Sequence, residues 1–262
     1  MPEFDDELDR IVREHRYLVR TANREFEGRW NEIMSQPSDG EWDGGDAFAW
    51  VQDELGINPF DVEGDAGLAA IGRAVSLAEV TFARIAAAHF TDPDRYVFPN
   101  GNLWYREWEE LFFKQVLNTP FHVNSNGFGS LRDLRDLYAH GYGVPATEAR
   151  RDRLAVRLYS DFPSSPPNAE EASRGYIGDA YWFGKYTSFD TRSKSLVSDL
   201  FLSRNADVSE LAAYRALNSI GTHVHALEMA VWNGVITDIS EDNRFFRKVD
   251  DWWNQRSKSS IT

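Results

Sequence analysis

The feature that most constrains this chain is an apolar stripe of helical period near its beginning. From Glu3 to Ser35 apolar side chains recur at Ile11, Leu18, Ala22, Phe26, Trp30 and Ile33, and Asp5, Asp6 and Glu7 crowd the first turn. That spacing predicts one long amphipathic helix, with the acidic turn favourable at its N-terminus. A helix of this kind must cover its apolar face, and the rest of the chain supplies further helices to do so.

A short helix is expected at Ala47 to Leu55, stopping at Gly56. A second strong one runs from about Asp65 to Phe90 through Leu68, Ile71, Val75, Phe82 and Ile85, and its alanine content suits a deeply buried position. Asp92-Pro93 and Pro99-Asn100-Gly101 break the chain before a helix at Leu103 to Leu117, where Trp104, Trp108, Leu111 and Phe112 share a face. After a loop from Asn118 to Gly129, Ser130 is the expected cap of a helix running to His140, and Gly141 and Gly143 end it. Another helix covers about Ala146 to Ser160. The stretch from Phe162 to Phe189 changes character, with Ser164-Ser165-Pro166-Pro167 followed by an aromatic run from Tyr176 to Tyr186, which suits a linker or a hairpin insert. Helical spacing returns at Asp190 to Arg204, at Asp207 to Trp232 with Asp207 and Glu210 as a capping box, and at Asn243 to Lys258 with Trp252 and Trp253. The expectation is an all-α fold with one irregular insert.

Composition narrows the function. The 262 residues are 42% hydrophobic, enough to bury a core in one large domain or two small ones. With 28 basic against 42 acidic residues the net charge is −14, which argues against a general duplex-DNA coater or an anionic-membrane binder. No apolar run is long enough to span a bilayer, and Met1 to Asp9 is acidic where a signal peptide is basic and then apolar, so a cytoplasmic location and no membrane partner are expected. The absence of cysteine removes disulfides, thiolate zinc sites and a thiol nucleophile. Only five of the basic residues are lysine, so cation chemistry here is guanidinium chemistry, suited to gripping phosphate or carboxylate with two bonds.

The most informative segment is Leu131 to Gly143, where arginines, aspartates and a histidine gather at a helix end beside glycines. Arg132, Arg135, Asp136, Ala139 and His140 fall on one stripe, so Asp136 and His140 are neighbours one turn apart. A carboxylate so placed orients an imidazole and favours its protonated form, as does a helix C-terminus. Arg135 lies one turn back, and Arg150, Arg153 and Arg157 line one face of the next helix, a basic patch in an acidic chain.

This segment resembles the HEPN superfamily, whose ribonuclease members carry Arg, a polar residue, three variable residues and His on a helical bundle. The match is Arg135, Asp136, Leu137-Tyr138-Ala139 and His140, with Asp136 standing where asparagine is common and so placing a negative charge beside the histidine. Two other Arg-x4-His copies, Arg10 to His15 and Arg84 to His89, lie inside helices and have Ile at the second position, leaving their histidines without that polar partner. The resemblance implies a HEPN-like core over residues 61–161 and leaves the flanks unexplained; the pattern along the chain divides these into an N-terminal helical extension over 1–60, the linker or insert at 162–189 and a C-terminal helical segment over 190–262. It also implies metal-independent, cofactor-free RNA cleavage by attack of the ribose 2′-OH on its own 3′-phosphate, with His140 as acid or base, Arg135 stabilising charge on phosphorus and Asp136 orienting the histidine. Arg132, Arg150 and Arg153 would add phosphate contacts. Such proteins form homodimers with composite sites and work in phage defence or toxin–antitoxin systems. Arg135 and His140 are about 140° apart around one helix, which gives a second copy a role in completing the site. Tyr142 matches an extended pattern in which a nucleotidyltransferase partner silences the toxin by adenylylating that tyrosine. A non-catalytic helical module binding RNA, a nucleotide or a protein is the competing reading.

Other groupings are weaker. His223 and His225 would stand about 200° apart on a helix and cannot share a metal. Asp39, Asp43 and Asp46 miss the spacing of a calcium loop, and the adjacent pairs Glu109-Glu110 and Asp250-Asp251 point apart. His122 precedes the motif in a loop. There is no phosphate-binding glycine loop, nucleophile elbow or His-Glu-x-x-His helix.

Overall fold

A computed structural model describes residues 2–35, 44–56, 58–87, 122, 124–125, 127–141, 143, 145, 147–163, 181–184, 187–190, 195–198 and 206–233. Within them the fold is all-α, with six helices: α1 (Pro2–Ser35), α2 (Gly44–Leu55), α3 (Pro59–Ala87), α4 (Phe128–Gly141), α5 (Glu148–Asp161) and α6 (Glu210–Asn233). The expected helices at Leu103 to Leu117 and Asn243 to Lys258 lie outside the described residues, as do Tyr142 and most of the aromatic run.

Helix α3 is the axis of the molecule, packing against α1, α4 and α6. It begins earlier than expected because Pro59 fits a first helical position, where no N–H is needed, and the Asn58 carbonyl accepts the first bond from Val62 N at 3.1 Å. Its apolar face, from Leu68 through Ile71, Val75 and Ala78 to Phe82, is sealed from water. Helices from the N-terminal, central and C-terminal spans share this one core, which joins Phe4 and Ile11 of α1 to Leu131 and Leu134 of α4, Leu158 of α5, and Ala216, Ile220 and Val224 of α6. No helix among the described residues is long and apolar enough to cross a membrane.

Three sequence expectations change. The buried stripe of α1 is Phe4, Ile11, His15, Val19, Ala22 and Phe26, whereas Leu18 is exposed. Leu18 and Val19 cannot both face α3, and Val19 keeps the four-residue step from His15. The helix expected over Asp190 to Arg204 is replaced, where described, by an antiparallel hairpin of β1 (Thr187–Asp190) and β2 (Ser195–Ser198), with Ser188 opposite Val197 and Phe189 opposite Leu196. Finally, the aromatic run is more than a linker at Tyr181, Trp182 and Phe183, which are all buried. Their backbone is stitched to the residues before α6: Asp207 N donates to Trp182 O at 3.1 Å and Ser209 N to Tyr181 O at 3.1 Å.

The caps also move. Ser209 rather than Asp207 caps α6, its Oγ accepting from Ala212 N at 3.1 Å. Ser130 is not the cap of α4 but sits buried inside its first turn, its hydroxyl within reach of the Gly127 carbonyl (2.8 Å) and the Asp161 carboxylate (2.7 Å). Gly127 precedes that turn at φ 78°, with the Phe162 ring packed where a side chain would stand, so no other residue fits.

Candidate site at the end of helix α4

Helix α4 ends as the sequence suggests. Gly143, at φ 81°, returns its N–H to the Leu137 carbonyl at 3.4 Å, and its own carbonyl accepts from Ala206 N at 2.8 Å. The end of α4 is thereby tied to the segment that leads into α6. Thr147 then caps α5, its Oγ1 accepting from Arg150 N at 3.2 Å.

His140 is exposed on the last turn of α4. Its expected partner is engaged elsewhere: Asp136 Oδ1 accepts from Arg135 Nε at 2.7 Å, and no hydrogen bond or ion pair joins Asp136 to His140 among the described residues. Thus the structure keeps Arg135 and Asp136 together and leaves the imidazole facing solvent.

Arg135 lies across α3 over a groove that Gly72, Ser76 and Glu79 form at steps of four and three residues. Gly72 supplies room for its stem. Its Nη1 donates to Glu79 Oε2 at 2.9 Å and to Ser76 Oγ at 3.3 Å, and its Nη2 donates to Glu79 Oε1 at 3.0 Å. A guanidinium has five N–H donors, so with Nε on Asp136 nearly all are used. Burial pulls the Arg135 pKa down, but Glu79 and then Asp136 more than offset it and leave it raised.

Arg132, expected as a surface phosphate contact, is instead only 1% exposed. Its Nε lies 2.8 Å from Glu79 Oε1 in an ion pair whose angle is not that of a hydrogen bond, and its guanidinium sits over the Phe128 ring, 5.1 Å from the centroid. It is therefore a buried structural cation, out of reach of a polyanion. Glu79, which no sequence motif singles out, holds both arginines. Its one signal in the sequence is an acidic residue set between Val75, Ala78 and Phe82 on the apolar side of α3.

On α5, Arg157 pairs with Asp133 and Arg151 with Asp152. Arg150 and Arg153 are exposed and make no ion pair among the described residues. His122 is exposed in the loop before α4, where its carbonyl accepts from Ser125 N at 2.9 Å. His223 and His225 part as helix geometry requires: the first is buried and stacked on Phe128 with centroids 4.9 Å apart, while the second is exposed beside Asp5, 3.1 Å away. Compared with family models, curated proteins and solved structures, the chain matches none of them.

Proposed function

We propose that this chain is a metal-independent endoribonuclease of HEPN type, acting in the cytoplasm in phage defence or a toxin–antitoxin system. The observation that carries the reading is the exposed His140 at the C-terminal end of α4, one turn beyond Arg135 and Asp136 and followed by the Gly143 turn. In this reading the His140 imidazole takes the proton of the ribose 2′-OH as the oxygen attacks the adjacent phosphorus. The new 2′-O–P bond forms as the P–5′-O bond breaks, leaving a cyclic phosphate, and the departing 5′-oxygen takes a proton from water to become the 5′-hydroxyl. The nucleophile is tethered to its target, so alignment and charge stabilisation are the main tasks. Because Arg135 is occupied by Glu79 and Asp136, a homodimer in which a second copy brings its open Arg150 or Arg153 toward the phosphate completes the site more readily than one chain alone. Tyr142 would be the place for silencing by a nucleotidyltransferase or an antitoxin.

The test is RNA cleavage in EDTA by wild type, His140→Ala and Arg135→Ala, each checked for native circular dichroism. Loss of about a hundredfold or more in His140→Ala is the expected result, with a smaller loss in Arg135→Ala, whose guanidinium is already held by Glu79 and Asp136. Unchanged cleavage by His140→Ala would overturn the assignment.

A second reading, a non-catalytic helical module that binds RNA, a nucleotide or a protein partner, is favoured by one specific observation. Arg132 and Arg135 are engaged by carboxylates of their own chain, the pattern of a scaffold rather than of a phosphate grip. Under it, varied RNAs bind with a salt-dependent affinity that Arg150→Gln and Arg153→Gln reduce, and no strand is cut.

A further inference from the structure

Between α1 and the first turns of α6 lies a cleft of about 370 Å³, lined by Val12, His15, Arg16 and Arg20 on one side and by Glu210, Leu211, Tyr214 and Leu217 on the other. This volume is in the range of small-molecule sites. One lining residue is unusual. His15 is 5% exposed, and its Nε2 has no hydrogen-bond partner. A buried polar atom left unpaired costs free energy that a native core normally avoids, so such an atom, sealed behind the wall of a cavity on a residue that lines it, points to something that enters, uncovers it and pairs with it.

The rim has a different chemistry. Arg16 and Arg20 are exposed one helical turn apart on α1, and neither makes an ion pair among the described residues. Of the other arginines on α1, Arg10 is held by Glu7 and Glu14 and Arg29 by Glu32 and Glu54, while Arg13 and Arg24 are also exposed without an ion pair among the described residues but do not line the cleft. Tyr214 and Leu211 stand at the mouth, 50% and 39% exposed. Thus two open guanidinium groups flank an apolar and aromatic wall, while Glu210 places one acceptor near the floor.

We infer that this cleft binds a small aromatic oxyanion, a carboxylate or phosphate on a ring that carries a hydrogen-bond donor opposite its charge. The oxyanion is held by Arg16 and Arg20, each able to donate in pairs to such a group. The ring lies against Tyr214, Leu211 and Leu217. The donor reaches inward to His15 Nε2 and to Glu210, giving the buried nitrogen the partner it lacks. Burial, reinforced by Arg16 and opposed by Glu210, pushes the His15 pKa down, so the imidazole is neutral at pH 7 and can accept at Nε2. The site is separate from the proposed nuclease residues and does not depend on them.

The probes are 4-hydroxybenzoate and 4-hydroxyphenyl phosphate, titrated calorimetrically into the full chain alongside benzoate, which lacks the donor, and phenol, which lacks the charge. Saturable binding by one or both hydroxylated oxyanions with Kd of about 1 mM or tighter is expected, with benzoate and phenol about tenfold weaker. Which of the two binds separates carboxylate from phosphate. The double variant Arg16→Gln, Arg20→Gln alters only exposed positions and is expected to keep its melting temperature while binding about tenfold more weakly. His15→Asn, read by calorimetry beside the NMR shift of the wild-type His15 ring on titration, is expected to lose the preference for the hydroxylated probe. Absence of saturable binding by every probe up to about 10 mM, or unchanged affinity in the double arginine variant, overturns the inference.

Discussion

Two regions of this molecule are built from the same residue types and end in opposite states. At the end of α4, Arg132 and Arg135 stand three residues apart near a histidine, and Glu79 and Asp136 compensate their charges while the histidine lies in water. On α1, Arg16 and Arg20 stand four residues apart beside a histidine, the guanidinium groups are open, and the imidazole is buried with an unpaired nitrogen. Local spacing is nearly the same in the two places. The difference comes from what the neighbouring helix presents: α3 brings Gly72, Ser76 and Glu79 under Arg135, whereas α6 brings Tyr214 and two leucines toward α1. Whether an arginine pair is scaffold or binding surface is thus decided by a residue distant in sequence.

The comparison breaks most severely at Glu79. Glu79→Ala takes away the carboxylate that faces Nε of the buried Arg132, and loss of one partner of a buried pair costs about 3 kcal/mol or more. Urea unfolding of Glu79→Ala against wild type measures this. Because Arg135 is part-exposed, it is freed rather than stranded, so the variant that folds should bind a polyanion more tightly than wild type does. A loss below about 0.5 kcal/mol would mean that Arg132 finds water or another partner.

These contrasts also mark what is legible in the sequence. The all-α class follows from periodicity, and α3 is readable almost residue by residue because its buried face from Leu68 to Phe82 has no polar interruption except Thr81 and the flanking Glu79. Caps are less legible. Ser209 and Asp207 both look like N-caps, and only the bridging of Asp207 to Phe183 as an extended segment decides between them. The strand pair Thr187–Asp190 and Ser195–Ser198 is hidden because Leu196, Val197 and the serines around them suit a short amphipathic helix as well as a strand. At the candidate site, the i,i+4 relation of Asp136 and His140 is correct as geometry, but it cannot reveal that Arg135 takes the carboxylate. His15 gives no catalytic signal because the residue after Arg10 is apolar, yet its place on the α1 stripe is the relevant clue.

Asp207 lies between the two regions and tests whether they move together. It follows Ala206, which is bonded to Gly143 at the end of α4, and precedes Glu210, which lines the α1 cleft and whose N–H donates to Glu63. Burial, with Glu63, Asp61 and Asp65 adding repulsion, pushes its pKa up to about 6. A carboxyl whose native pKa is raised binds its proton more tightly when folded. Its contribution to stability is therefore fully present below about pH 4 and is lost as pH rises through 6. Asp207→Asn should remove that slope and stabilise the protein at pH 7 by on the order of 1–2 kcal/mol after solvent screening. Denaturation midpoints at pH 4 and pH 7 report it, and equal midpoints for wild type and Asp207→Asn at pH 7 would place the carboxylate in a better-solvated setting.

The smallest effect separates the regions most cleanly. Thr147 caps α5 through Arg150 N and is not among the residues lining the α1 cleft, so Thr147→Ala should cost about 1 kcal/mol by removing the side-chain acceptor of that N–H and leaving it only the residue 147 carbonyl. Arg150 belongs to that same turn, and Arg153 follows it, so fraying there disorders the open cations to which the proposed RNA contact is assigned. The expected pattern is a melting temperature lower by a few degrees, weaker RNA binding and an unchanged affinity of the α1 cleft for its aromatic oxyanion. Thr147→Ser, which keeps the hydroxyl, should restore both stability and RNA binding. If the alanine variant instead weakened both sites equally, the end of α4 and the α1 cleft would have to be coupled through the shared core, and the independence drawn from their separate helices would fail.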